Sequence, residues 1–98
     1  MALTEEEILA LSIGPEADVH ISGAAGYRIP NPTTNLITCY QFEDKVAEDG
    51  EQRNYVDALQ NIVESEGDTV FMKRWKLLHA TPLQRSQAFM FIYGLKEE

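Results

Sequence analysis

The chain has 98 residues, 44% of them hydrophobic and 9% aromatic, which suits one buried core and excludes both a disordered chain and two independent domains. Its net charge of −8 excludes general affinity for phosphate backbones or anionic lipid headgroups, because like charges repel. The charge is uneven: residues 1–72 hold fourteen acids against three bases, and residues 73–98 hold five bases against two acids. A single cysteine, Cys39, cannot close an internal disulfide and fits a reducing compartment. The opening Met-Ala-Leu-Thr-Glu-Glu-Glu lacks the basic and apolar parts of a signal peptide, and the longest apolar run, Ala88 to Tyr93, is too short to span a bilayer.

In chain order, Thr4 and Glu7 form a capping box that starts a helix, with Ile8, Leu9 and Leu11 on its buried side and Gly14-Pro15 as its stop. From Glu16 to Pro32, Gly23, Gly26, Pro30 and Pro32 interrupt any long period, while Val19 and Ile21 alternate around His20. This stretch reads as loop, holding at most a short strand or a helical turn. Between Thr33 and Ala47, Leu36, Cys39, Tyr40, Val46 and Ala47 fall near a helical stripe with Pro32 in the first turn. Helix is favoured there over a strand from Leu36 to Phe42.

Asp49, with Gln52 three residues on, reads as the cap of an amphipathic helix that carries Tyr55, Val56, Leu59, Ile62 and Val63 and ends near Gly67. Asp68 to Ala80 admits two patterns, Phe71, Trp75 and Leu78 as a helix or Phe71, Lys73, Trp75 and Leu77 as a strand face, and a short helix is favoured. The last helix is marked by Thr81 as cap, Pro82 at its first position, Gln84 completing a box and Gly94 at its end. Leu83, Ala88, Phe89, Ile92 and Leu95 make its core face, and Met90, Phe91 and Tyr93 widen that face until the helix is apolar nearly all round. Such a helix belongs at the centre of the domain or beneath another subunit. The expected fold is therefore mainly α, a bundle of about four helices starting at Thr4, Thr33, Asp49 and Thr81 with the 68–80 segment packed across them. The alternative is an α+β fold with a small sheet from residues 19–22, 36–42 and 69–79.

Candidate chemistry is sparse. Cys39 with His20 or His79, or Ser86 with His79, would pair a nucleophile with a base, but the spacing matches no catalytic signature and no enzyme is expected. Two histidines and one cysteine lack metal-ligand spacing, and the acidic run Glu43, Asp44, Glu48, Asp49, Glu51 lacks the alternation and central glycine of a calcium loop, so no metal is expected. Gly23-Ala24-Ala25-Gly26 lacks the third glycine of a dinucleotide loop and the Lys-Ser/Thr of a phosphate loop, and no cofactor is expected. The best candidate for a partner-binding surface is Lys73, Arg74, Trp75, Lys76, His79 and Arg85, because Trp and Arg dominate binding energy at interfaces. The plainer reading of the same residues puts Trp75 in the core and pairs the bases with acids of the preceding helices.

Two stretches carry a likeness to known proteins. Glu7-Ile8-Leu9-Ala10-Leu11 with Gly14-Pro15-Glu16 and Asp18, and Ala80-Thr81-Pro82-Leu83-Gln84-Arg85 leading to Ala88-Phe89, resemble small uncharacterised proteins of phages and prophages, some grouped as phage sandwich-type domains. The resemblance implies a phage or mobile-element origin and the cytoplasm of a bacterial host cell; it brings no functional residues. The middle of the chain departs from the sandwich-type pattern, with helices in place of strands.

The function expected from these readings is a non-catalytic interaction module that binds a protein partner or itself through the Trp75 region or the last helix, with no direct nucleic-acid or membrane contact. An acidic surface that mimics nucleic acid and occupies a DNA-binding host protein is the alternative, followed by a small enzyme of unknown reaction.

Overall fold

A computed structural model of the chain describes residues 3–95 and is mainly helical; Met1 and Ala2, and Lys96 of the basic end with Glu97 and Glu98, lie outside the described residues. Among the described residues there are six helices and no named strand: α1 (Glu5–Leu9), α2 (Pro15–Ala25), α3 (Leu36–Glu48), α4 (Gln52–Val63), α5 (Val70–Leu78) and α6 (Pro82–Tyr93). The sheet of the α+β alternative is absent there, since residues 19–22, 36–42 and 70–78 are helical.

α1 begins as expected: the Glu7 amide donates to Thr4 Oγ1 at 3.2 Å and the Thr4 amide donates to Glu7 Oε1 at 3.0 Å. It buries Ile8, while Leu9 faces outward, so one apolar residue of its short turn does the anchoring. Gly14-Pro15 does not stop α1. It opens α2, with Gly14 as N-cap and Pro15 at the first helical position, where a missing N–H leaves no bond unmade.

The helix over 15–25 replaces the loop expected from 16 to 32. Its buried stripe is Ala17, Ile21 and Ala25, spaced by four, and Val19 points to solvent. Two of those three residues are alanines, so the stripe gives little hydrophobic contrast, although alanine is the best helix former. Gly26, at φ 82°, caps the end in the left-handed region that glycine enters without strain. The following turn is tied back to α2 by side chains: Asp18 Oδ1 accepts from the Thr33 amide (3.1 Å) and hydroxyl (2.8 Å), and Ser22 Oγ accepts from the Ile29 amide at 3.0 Å.

α3 is capped by Asn35, whose side-chain oxygen accepts from the amides of Ile37 and Thr38, so Pro32 lies before the helix rather than in its first turn. Thr38, Cys39, Phe42 and Val46 form its buried stripe; Leu36, Tyr40 and Ala47, expected there, face outward. Asp49 also differs from expectation. It is the C-cap of α3, not the N-cap of α4, and its carboxylate accepts from Tyr93 Oη at 2.6 Å and pairs with Lys45 at 3.3 Å.

Of the face its period predicts, α4 buries Tyr55, Leu59 and Val63 and half-buries Ile62, while Val56 faces outward. α6, with the expected box between Thr81 and Gln84, packs against α1, α2, α3 and α4, and Ala88, Phe89 and Met90 are fully enclosed. Its all-round apolar character is thus answered by a central place in the domain. The Phe42 and Phe89 rings lie 4.6 Å apart at the middle of the core, with Tyr55 edge-on to Phe42. Gly94 ends α6 where a side chain would run into Met90, and its carbonyl accepts from the Leu3 amide at 2.8 Å, joining the two ends of the described chain. No described helix is long and apolar enough to cross a membrane.

Candidate interaction face on α5

α5 forms for ordinary local reasons. Thr69 caps it, accepting from the Met72 amide at 3.2 Å, and the preceding turn is set by Gly67 at φ 87°. Its orientation is the unusual feature. At 100° per residue, Phe71, Trp75 and Leu78 share one side of the helix, and Lys73 and Lys76 lie on the opposite side. The lysine side is turned to the body of the protein, where Lys73 Nζ pairs with Glu64, the C-cap of α4, at 3.5 Å and Lys76 Nζ pairs with Asp68 at 2.7 Å and donates to Ser65 Oγ at 3.2 Å. The apolar side faces water: Phe71 is 71% exposed, Trp75 56% and Leu78 74%.

Val70 and Met72 are exposed beside them, and no residue of α5 is fully buried. Leaving a large apolar side chain in water forgoes about 1.5–3 kcal/mol relative to burying it. Several such residues together on one helix mark a contact surface rather than scattered exposure. The rings are also ordered among themselves: Phe71 and Trp75 are nearly parallel at 6.5 Å, and the His79 ring lies 4.4 Å from Trp75. A shallow apolar hollow of about 270 Å³ runs along Phe71, Met72, Trp75 and Lys76.

The six residues expected to form a basic binding patch therefore divide. Trp75 and His79 are on the outer face, and Arg74 beside them forms no ion pair among the described residues. Lys73 ties α5 to the C-cap of α4, and Lys76 ties it to the connecting segment through Asp68 and Ser65; the Lys76 bond, then the Ser65 amide, keep the Asp68 carboxyl below its usual range. Arg85 belongs elsewhere. Its Nη1 donates to Glu43 Oε2 of α3 at 2.9 Å and its Nε donates to the Ala80 carbonyl at 3.1 Å. The plainer reading is thus half right: bases do pair with acids of earlier segments, and Trp75 is not core.

Glu43 Oε2 also accepts from Tyr55 Oη at 2.5 Å, so one oxygen bridges α4 and α6. Burial, and then the Glu43 charge, hold the Tyr55 phenol far above its ordinary pKa. Cys39 sits nearby, its thiol donating to the Pro32 carbonyl at 3.1 Å, which also accepts from Ser86 Oγ at 3.1 Å. Burial, followed by Glu43, pushes the thiol up to about 12. Neither Cys39 nor Ser86 bonds to a histidine: His20 is on α2, and His79 stacks on Trp75. In the acidic run, Glu43 and Asp49 are occupied by Tyr55, Arg85, Tyr93 and Lys45, and among the described residues no three His, Cys, Asp or Glu are grouped to hold a metal. The Gly23 to Gly26 stretch is the C-terminal end of α2, where carbonyls rather than amides are free.

Sequence reasoning singled out Trp75 but missed Phe71 and Leu78 as surface. The signal was present in the opposition of two lysines to three large apolar residues within α5, but periodicity does not say which side of a helix faces inward. Comparison of the chain with family models, with curated proteins and with solved structures finds no match in any of the three.

Proposed function

We propose that this protein is a non-catalytic interaction module whose binding element is the outer face of α5. The observation that carries the reading is the inverted amphipathicity of that helix: its lysines are spent on Glu64 and Asp68 while Phe71, Trp75 and Leu78 face water. A helix with this apolar strip in solution gains by covering it with another protein surface, and Trp and Arg at its centre are the residue types that carry binding energy. α6 and its four neighbours make most of the core, and α5 joins it only through α4 and the half-buried Leu77, so its outer face is free for binding.

The test compares three chains of equal thermal stability: wild type, Trp75→Asp, and Val19→Asp as a control at an exposed apolar position of α2. Self-association is measured by sedimentation, and partner capture from lysate is measured on immobilised protein. The reading expects at least one association, with itself or with another protein, to weaken tenfold or more (~1.4 kcal/mol) in Trp75→Asp and to persist in Val19→Asp. Associations that survive Trp75→Asp unchanged, or none in wild type, overturn it.

A further inference from the structure

We infer that the surface covering α5 is α5 of a second copy, packed antiparallel across a two-fold axis. The inference rests on the interaction reading above and adds the identity of the partner.

The helix is nearly palindromic about the midpoint of Arg74 and Trp75. A two-fold axis there brings Phe71 of one copy to the height of Leu78 in the other, and Arg74 to the height of Trp75, twice over. All four residues belong to the outward side, so Phe71 of each copy meets Leu78 of the other and Trp75 meets Arg74. The guanidinium of Arg74, which has no acid partner among the described residues, comes beside the exposed indole of the other copy, within reach of a cation–π contact. Lys73 and Lys76 lie on the far side, already paired with Glu64 and Asp68, so two copies approach with Arg74 as the one exposed unpaired cation of each α5 strip. Antiparallel pairing also sets each helix N-terminus against the C-terminus of the other, the favourable sense for their dipoles.

Area sets the strength. A pair of nine-residue helices covers far less than the ~800 Å² per partner of a standard interface. The net charge of −8 on each copy opposes approach further. The pair is therefore weak and salt-strengthened, with a Kd in the range of about 10 μM to 1 mM.

The experiment uses the full chain with single cysteines placed on the exposed face. Phe71→Cys and Leu78→Cys are made separately and incubated with oxidised glutathione, alone and mixed. The buried Cys39 does not compete. The antiparallel register predicts that the mixture forms a disulfide-linked dimer at least about tenfold faster than either variant alone, because 71 and 78 face each other across the axis and neither faces itself. Sedimentation of wild type should show the weight-average mass rising toward a dimer across the same concentration range, and Arg74→Glu should weaken that rise. Equal cross-linking in mixed and unmixed samples, or a monomer at ~1 mM, overturns the self-pairing. If a captured protein is still lost in Trp75→Asp under those conditions, the interaction reading stands with a different partner; if nothing is lost, both fall.

Discussion

Arg85 reaches across forty-two positions of sequence to place its Nη1 2.9 Å from Glu43 Oε2, the same oxygen that takes the Tyr55 hydroxyl at 2.5 Å. A basic residue grouped by sequence with the α5 patch is thereby part of the joint between α3, α4 and α6. Burial works against the charge of Arg85, and the Glu43 bond and charge outweigh it, holding the guanidinium above its ordinary value.

Removing the carboxylate charge should therefore loosen the fold without touching the α5 face. Glu43→Gln keeps an acceptor for Tyr55 but leaves Arg85 uncompensated in a largely enclosed site. The expected loss is about 1–2 kcal/mol, or roughly 4–16 °C in Tm, read by urea and thermal unfolding. Self-association and cross-linking at α5 should be unchanged.

The outer face of α5 should tolerate polar substitution that the core does not. Phe71→Ser or Leu78→Ser is expected to change stability by less than about 0.5 kcal/mol, whereas Phe42→Ala or Phe89→Ala should cost about 3–5 kcal/mol. Denaturant unfolding of the four variants decides it: a core-sized loss at Phe71 would mean that the helix is turned the other way.

Cys39 should behave as an inert core residue. With its thiol at about 12, against an ordinary value of 9.0, the thiolate is scarcer by roughly three orders of magnitude at pH 8. Labelling by a disulfide reagent at pH 8 should be undetectable on the time scale of minutes in native protein and immediate after denaturation. The same shift has a stability consequence on the alkaline side. The unfolded thiol ionises near pH 9 and the folded one near 12, so the fold loses stability as pH rises between those values. Cys39→Ala should reduce the loss at the start of that window, below the range where the raised Tyr55 and Tyr93 phenols add theirs.

Asp68 governs the acid side near α5. Its carboxyl is depressed in the fold, chiefly by Lys76 and then by the Ser65 amide, so its contribution is present above the unfolded value of about 3.9 and is lost as pH falls through the lower folded value. Lys76→Met should be less stable than wild type at pH 7, with a gap that shrinks in salt and narrows as pH falls below the unfolded carboxyl value. A gap that stays constant with pH would assign the effect of Lys76 to packing alone.

Much of the frame was legible before any coordinates. The Thr4–Glu7 and Thr81–Gln84 boxes set two helix starts because a capping box is closed by residues three apart and needs nothing distant. The spacing of Tyr55, Leu59 and Val63 predicted α4 for the same local reason, while the all-round apolar character of residues 82–93 left a central helix and a subunit contact both open, and the packing on four helices decides for the first. α2 escaped notice because its buried stripe is mostly alanine and its first residues, Gly14-Pro15, serve equally well as an end or a beginning. Asp49 was assigned to the wrong helix because its true partners, Lys45 and Tyr93, include one forty-four residues away.

The inward or outward sense of each amphipathic face was decided by tertiary structure alone. Local sequence determines that Phe71, Trp75 and Leu78 share a side opposite Lys73 and Lys76, because 3.6 residues per turn is a property of the backbone. Which side meets the body was settled only when α5 packed on α4: Leu77 then lies against the core, Lys73 and Lys76 reach Glu64 and Asp68, and the side of Phe71, Trp75 and Leu78 is left in water.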